Sequence, residues 1–219
     1  MKQIFAALTA LTLLCTLTAC GGMADQSASA PSPSDQKELL SESGTSSTPD
    51  EREPAAAEPP RVLVAYFSAT GNTEHIAQYI QTILNADLYE IVPEEPYTDD
   101  DLNYNNDNCR ANREQNDPDA RPAITGTLEH PEDYDAVFLG YPIWWGQAPK
   151  IIYTFLESYD FDEVTIVPFC TSGSSGIGSS AESLRALVPD ANWLPGQRFD
   201  GSTPQEEAAA WVEELELPE

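Results

Sequence analysis

From Arg61 onward the chain alternates two hydrophobic rhythms. A β-rich run at Arg61–Phe67, a continuous apolar run at Ala136–Tyr141 and a largely apolar run at Val164–Phe169 predict strands buried on both faces. A short strand is predicted over Asp87–Val92 and a weak one within Asn192–Phe199. Between them apolar residues return at helical spacing. Ile76, Ile80, Ile83 and Leu84 share one face; Ile151, Ile152, Phe155, Leu156 and Tyr159 form a second stripe behind Pro149. Leu184, Leu187 and Val188 mark a third helix, and Ala208, Trp211, Val212 and Leu215 a fourth. Ser179 with Glu182, and Thr203 with Glu206, are spaced as capping boxes for these last two. Five strands with helices between them predict a doubly wound parallel sheet, whose ligands bind beyond the carboxyl ends of the strands. Pro93–Glu132 breaks the rhythm. It carries Asp99, Asp100 and Asp101, several Asn and Arg, Tyr97 and Tyr104, with a polar helix expected over Cys109–Gln115. A connection of that length is commonly functional.

The first 60 residues follow neither rhythm. Lys2 and the apolar run Ile4–Leu17 have the form of an export signal, too short for the roughly 20 residues of a bilayer span. Leu17-Thr18-Ala19-Cys20 resembles the lipobox of bacterial lipoproteins. That resemblance implies a signal peptide over 1–19 and lipid on Cys20. Residues 20–60 then read as a tether. From Gly21 to Pro60 there are eight Ser, six Pro and no aromatic, which cannot bury enough surface to fold. The expected setting is extracytoplasmic, on a bacterial membrane, with residues 61–219 forming the folded domain.

Composition narrows the partners. The chain has 37 Asp and Glu against 10 Lys and Arg, a formal net charge of −27. In residues 61–219 the balance is 29 against seven, or −22. Such a field repels nucleic acid and steers basic proteins. Of four cysteines, Cys109 and Cys170 remain once Cys15 and Cys20 are set aside, without C-x-x-C spacing. Both a disulfide between them and a buried free thiol at Cys170 are compatible with the sequence. His75 reads as a surface or capping residue and His130 as a solvated loop residue; no metal-ligand spacing occurs.

Three loops at strand ends carry the candidate chemistry. Ser68-Ala69-Thr70-Gly71-Asn72-Thr73 brings hydroxyls, a glycine and a helix start together, an arrangement suited to an anion. It has no P-loop lysine, so a single terminal phosphate fits better than a nucleoside triphosphate with magnesium. Tyr141-Pro142-Ile143-Trp144-Trp145-Gly146-Gln147 places two adjacent indoles at a strand end, one for the core and one for a ligand. Thr171-Ser172-Gly173-Ser174-Ser175-Gly176-Ile177-Gly178 offers small residues and free backbone amides.

These loops, in this order and after these strands, resemble the phosphate loop and the two flavin loops of the flavodoxin family. The resemblance implies a flavodoxin-like three-layer sandwich, a five-stranded parallel sheet in the order 2-1-3-4-5, and non-covalent FMN. It assigns the phosphate to Ser68, Thr70, Asn72 and Thr73, with Ala69 and Gly71 completing the loop. Trp145 or Trp144 would stack on the ring beside Pro142 and Ile143, and the Gly146 peptide would bond the flavin N5. Thr171, Ser172, Gly173 and Gly176 would line the pyrimidine edge.

Two departures stand out. The third loop carries no aromatic, leaving the outer ring face open or covered by Tyr104 or Tyr97. The P-I-W-W-G loop and the insertion look more like flavodoxin-like NAD(P)H-dependent reductases. The expected function is electron transfer with a redox partner protein. The alternatives are an NAD(P)H-dependent reductase of quinones or other small acceptors, and a binding module that has lost redox chemistry. The acidity also leads us to expect a low potential for the second electron.

Overall fold

The computed structural model describes residues 59–218. The expected signal peptide, Cys20 and nearly all of the expected tether lie outside the described residues. The elements in order are β1 (Val62–Tyr66), α1 (Asn72–Leu84), β2 (Asp87–Glu90), β3 (Val92–Pro93), α2 (Arg110–Asn116), β4 (Ile124–Thr125), β5 (Ala136–Pro142), α3 (Lys150–Ser158), β6 (Thr165–Thr171), α4 (Gly178–Arg185), β7 (Asn192–Trp193), β8 (Gln197–Phe199) and α5 (Gln205–Glu213). The main sheet runs β2-β1-β5-β6-β7, with β8 also on β6, and all its pairings are parallel. This is the expected 2-1-3-4-5 order, with the fifth strand in two pieces.

The period of two along each strand divides the core. Leu63, Ala65, Phe67, Val137, Leu139, Tyr141, Ile166 and Cys170 pack with Ile151, Ile152 and Phe155 of α3 and Leu184 of α4. Val62, Val64, Tyr66, Phe138, Val167 and Phe169 face the other way, onto Ile76 and Ile80 of α1 and Ala208 and Val212 of α5. Helices on both faces explain why β1 and β6 contain no exposed position. Gly140 interrupts the bulky pattern because it is registered against Phe169. A Cβ there would lie 2.2 Å from the ring.

The split of the fifth strand has a backbone cause. Thr165 donates its N–H to Asp135 on the β5 side, while Leu194 donates to the carbonyl of Ile166 on the other side. Alternation therefore turns residue 168 toward β7 and β8, and Pro168 has no N–H to offer. The chain bulges there through Leu194-Pro195-Gly196, and the register slips by one residue between β7 and β8. A Cβ on Gly196 would approach the Pro168 carbonyl to 2.6 Å.

Three further expectations are corrected. The strand expected over Asp87–Val92 ends at Glu90, and Val92–Pro93 turns away to pair antiparallel with β4 inside the insertion. Neither capping box forms. α4 begins earlier, behind Ile177, so Ser179 lies inside it; α5 begins behind Pro204, and the Thr203 hydroxyl accepts the Asp200 N–H instead. The polar helix over Cys109–Gln115 is present as α2.

Candidate flavin site

The first loop leaves β1 at Phe67 and enters α1 through Gly71, whose φ of 84° suits glycine. No side chain caps α1, so the N–H groups of its first turn lack intrahelical partners. Thr70, Gly71 and Asn72 are exposed, and Asn72 Nδ2 donates to Thr70 Oγ at 3.2 Å, leaving the threonine hydrogen free. Ala69 packs against the core. Ser68 Oγ is buried and has no hydrogen-bond partner. Such a group costs about 1–3 kcal/mol unless a partner arrives.

Thr73 differs from its neighbours. It is buried, and its hydroxyl shares a 2.8 Å hydrogen bond with that of Thr171. This side chain, expected at the phosphate, instead joins the first loop to the third. Gly201 packs close against Asn72, since a Cβ on it would fall 2.6 Å from Asn72 Oδ1.

The second loop separates its two tryptophans. Trp144 is buried and meets Phe67 and Tyr97 edge-on, with ring centroids 5.5 Å and 5.0 Å away. It is a core residue, which removes it as a stacking platform. Trp145 is 38% exposed. Trp145 and Gly146 both have positive φ, 46° and 80°, between the mutual backbone bonds of Trp144 and Gln147. That is a type I′ turn. A tryptophan in the left-handed region is strained by about 1–2 kcal/mol. Strain of this kind concentrates at binding sites. Pro142 ends β5, and Ile143 donates its N–H to the Thr171 carbonyl, so the second and third loops leave the sheet together.

The third loop is organised by Ser172. Its Oγ accepts the N–H groups of Ser174 and Ser175, and its carbonyl takes two bonds from Arg198, at 3.0 Å and 2.6 Å. Gly173 and Gly176 are exposed, with open space where a side chain would stand. Cys109 and Cys170 are both free and buried. Burial pushes the Cys170 thiol up to about 12, so it is no thiolate near neutral pH. His75 is exposed against Tyr79, and His130 pairs with Glu132, which raises its pKa.

The insertion supplies groups that sequence reasoning missed. Gln115 of α2 donates Nε2 to the carbonyls of Trp144 and Ala148, at 2.9 Å and 3.2 Å, gripping the turn from both ends. Tyr97 donates to Glu114 at 2.6 Å and lies beneath the Arg110 guanidinium. Arg198 lies on a weak strand with nothing in its spacing to mark it. For Gln115, the polar helix itself was the signal.

A wound α/β sheet with an uncapped helix start, an exposed indole and a small-residue loop at its carboxyl edge defines a nucleotide-type ligand site. The flavodoxin family model matches residues 61–215. The chain belongs to the flavodoxin family. A Bacteroides eggerthii protein classed among the flavoproteins is 44% identical, with a TM-score of 0.69, over 73% of this chain and 100% of that one. A Bacteroides uniformis counterpart is 38% identical, with a TM-score of 0.68, over 71% and 99%. A Lactobacillus acidophilus flavoprotein in complex with FMN shares the fold at 21% identity and a TM-score of 0.54, over 70% and 99%. A comparison with curated proteins finds no match.

Proposed function

We propose that the chain binds FMN non-covalently at the three loops and transfers electrons as a lipid-anchored extracytoplasmic flavodoxin. The carrying observation is the partnerless buried hydroxyl of Ser68, in the loop that enters the uncapped start of α1. A terminal phosphate would satisfy Ser68, the Thr70 hydroxyl and the free N–H groups of α1. The first loop contains no cationic residue, so the anion is held by dipoles and hydroxyls. Trp145 offers the π-face for the ring, and Gly173 and Gly176, with open space where a side chain would stand, let the third loop approach its polar edge. Bound FMN supplies the redox chemistry.

The family membership and the FMN held by the Lactobacillus acidophilus flavoprotein support this reading. Anchoring through Cys20 rests on the lipobox alone, and globomycin-sensitive processing with label from palmitate tests it. The acidic surface favours a basic redox partner, with rates that fall as salt rises. The length of the insertion favours a second reading, direct reduction by NAD(P)H.

The test is a titration of the full chain with FMN and riboflavin, followed by flavin fluorescence. One FMN per chain, with riboflavin far weaker, is expected. Binding of neither flavin would reject the reading. Bleaching of the bound flavin by NAD(P)H alone would select the reductase over the carrier.

A further inference from the structure

The insertion holds one phenol against a carboxylate. Tyr97 donates its hydroxyl hydrogen to Glu114 Oε2 at 2.6 Å, and Arg110 Nε donates to the other carboxylate oxygen at 2.7 Å. The Arg110 guanidinium lies over the Tyr97 ring, 4.2 Å from its centroid, and also donates to the Glu95 carbonyl at 2.8 Å. The side chains of Arg110 and Glu114 are each only 17% exposed. Burial and the neighbouring carboxylate both push the Tyr97 pKa up, so the phenol keeps its proton at rest. The ring itself meets Trp144 at 5.0 Å and Phe67 at 5.7 Å between centroids. Trp144 is followed in the chain by Trp145, the exposed indole of the site. Two consecutive indoles, and a phenol in contact with the buried one, thus lead from the site into the insertion.

Such a neighbourhood has redox consequences. Indoles and phenols are the electron-rich side chains that one-electron oxidants attack. An indole can lose an electron and keep its proton. A phenol gives up an electron readily only when its proton leaves in the same step, because the phenol radical cation is a very strong acid. The base that takes the proton must stand within about 2.6–3.2 Å of the phenol oxygen. Glu114 meets this requirement for Tyr97. Tyr134 is the comparison within the fold. It donates to Asp87 at 2.9 Å, but it lies at the opposite end of β5 from Trp144 and Trp145. Tyr97 also walls a cavity of about 190 Å³ with Val92, Pro93 and Pro96, which gives a small molecule access to it.

We propose that Tyr97 with Glu114 is a proton-coupled redox site, a sink that draws oxidising equivalents off the two indoles. A one-electron oxidant at the exposed edge, of the class of a photoexcited sensitiser, takes an electron from the indoles. Tyr97 refills that hole through Trp144 while its phenolic proton passes to Glu114. The oxidant is then reduced by one electron, Tyr97 is a neutral phenoxyl radical and Glu114 a carboxylic acid. Arg110 keeps the Glu95 carbonyl as its acceptor. A small outer-sphere electron donor in the cavity beside Tyr97 returns the electron, and the proton moves back from Glu114. The indole that the site offers to a ligand is thereby spared oxygenation. No flavin is needed for this chemistry, so it stands apart from the function proposed above.

The test is flash oxidation of the full chain, without flavin, by a photogenerated ruthenium(III) trisbipyridyl complex. Transient absorption and electron paramagnetic resonance identify the radicals. Wild type should convert an indole radical into a tyrosyl radical. Tyr97→Phe should leave the indole radical long-lived, while Tyr134→Phe behaves as wild type. Glu114→Gln keeps an oxygen acceptor but removes the base, and should slow tyrosyl formation by about tenfold or more. Heavy water gives a check that needs no variant: tyrosyl formation in the wild-type chain should slow in it. Oxygenation of Trp145 under continuous illumination, read by mass spectrometry, should rise severalfold in Tyr97→Phe and in Glu114→Gln. A tyrosyl signal that survives in Tyr97→Phe, a rate indifferent to Glu114→Gln or to heavy water, or equal Trp145 oxygenation in all chains overturns the proposal.

Discussion

Ser68→Ala should make the empty protein more stable and the loaded protein weaker. In the ligand-free chain Ser68 Oγ is buried without a partner. Removing it takes away a desolvation cost of about 1–3 kcal/mol and leaves no other group unpaired. The urea midpoint should therefore rise or hold, against the general tendency of substitutions to destabilise. With FMN the sign reverses. A hydroxyl bonded to a charged group contributes about 1.5–3 kcal/mol, so FMN affinity should fall on the order of tenfold to a hundredfold. Riboflavin has no phosphate, and its affinity should be unchanged. Urea unfolding of the empty protein and parallel titrations with the two flavins measure all three effects. Destabilisation of the empty protein, or equal losses for both flavins, would refute the assignment of Ser68 to the phosphate.

Thr73→Val and Thr171→Val should each destabilise by about 1–3 kcal/mol, because each strands the other's buried hydroxyl. The double variant should lose less than the sum, and additive unfolding energies would show that the 2.8 Å bond is not coupled. Gly140→Ala forces a methyl into the Phe169 ring and should cost about 1–3 kcal/mol in a urea melt; a wild-type melt would mean the ring moves freely. Alkaline stability follows from groups held protonated by burial, with Cys170 and Tyr66 each raised to about 12. Such groups stabilise fully below their unfolded values of 9.0 and 10.0 and lose that contribution as pH rises toward about 12. The thermal midpoint should therefore decline from pH 9 upward, and Cys170→Ala should delay the onset toward pH 10. An identical profile in that variant would exclude the thiol as the cause.

The sheet was legible because burial on both faces leaves continuous apolar runs, as in β1, β5 and β6. The site loops were legible because each follows such a run. What could not be read depended on pairing between distant segments. Pro168 is an ordinary apolar letter in the sequence; only its alternation in β6 shows that its missing N–H splits the fifth strand. The capping boxes had the right spacing, but hydroxyls such as Thr203 found nearer partners in the preceding turn. Thr73 sits in a phosphate-loop pattern, yet the sheet brings Thr171 beneath it. The two tryptophans are chemically identical letters, and a single turn sends one to the core and the other to solvent.

Precision at the site comes from residues that do not face the ligand space. The Thr73–Thr171 bond ties the first loop to the third, Arg198 holds the Ser172 carbonyl, and Gln115 grips both flanks of the Trp145 turn. A left-handed tryptophan persists only where its surroundings over-determine it, and Gln115 with the buried Trp144 does so here. Gln115→Leu would leave two carbonyls without their side-chain donor and relax that turn. Its effect should therefore reach Trp145 rather than the phosphate. FMN and riboflavin affinities should fall together, by roughly tenfold, while Ser68→Ala separates them. If Gln115→Leu weakened FMN alone, the insertion would be acting on the first loop, and the division of labour between the two ends of the ligand would be wrong.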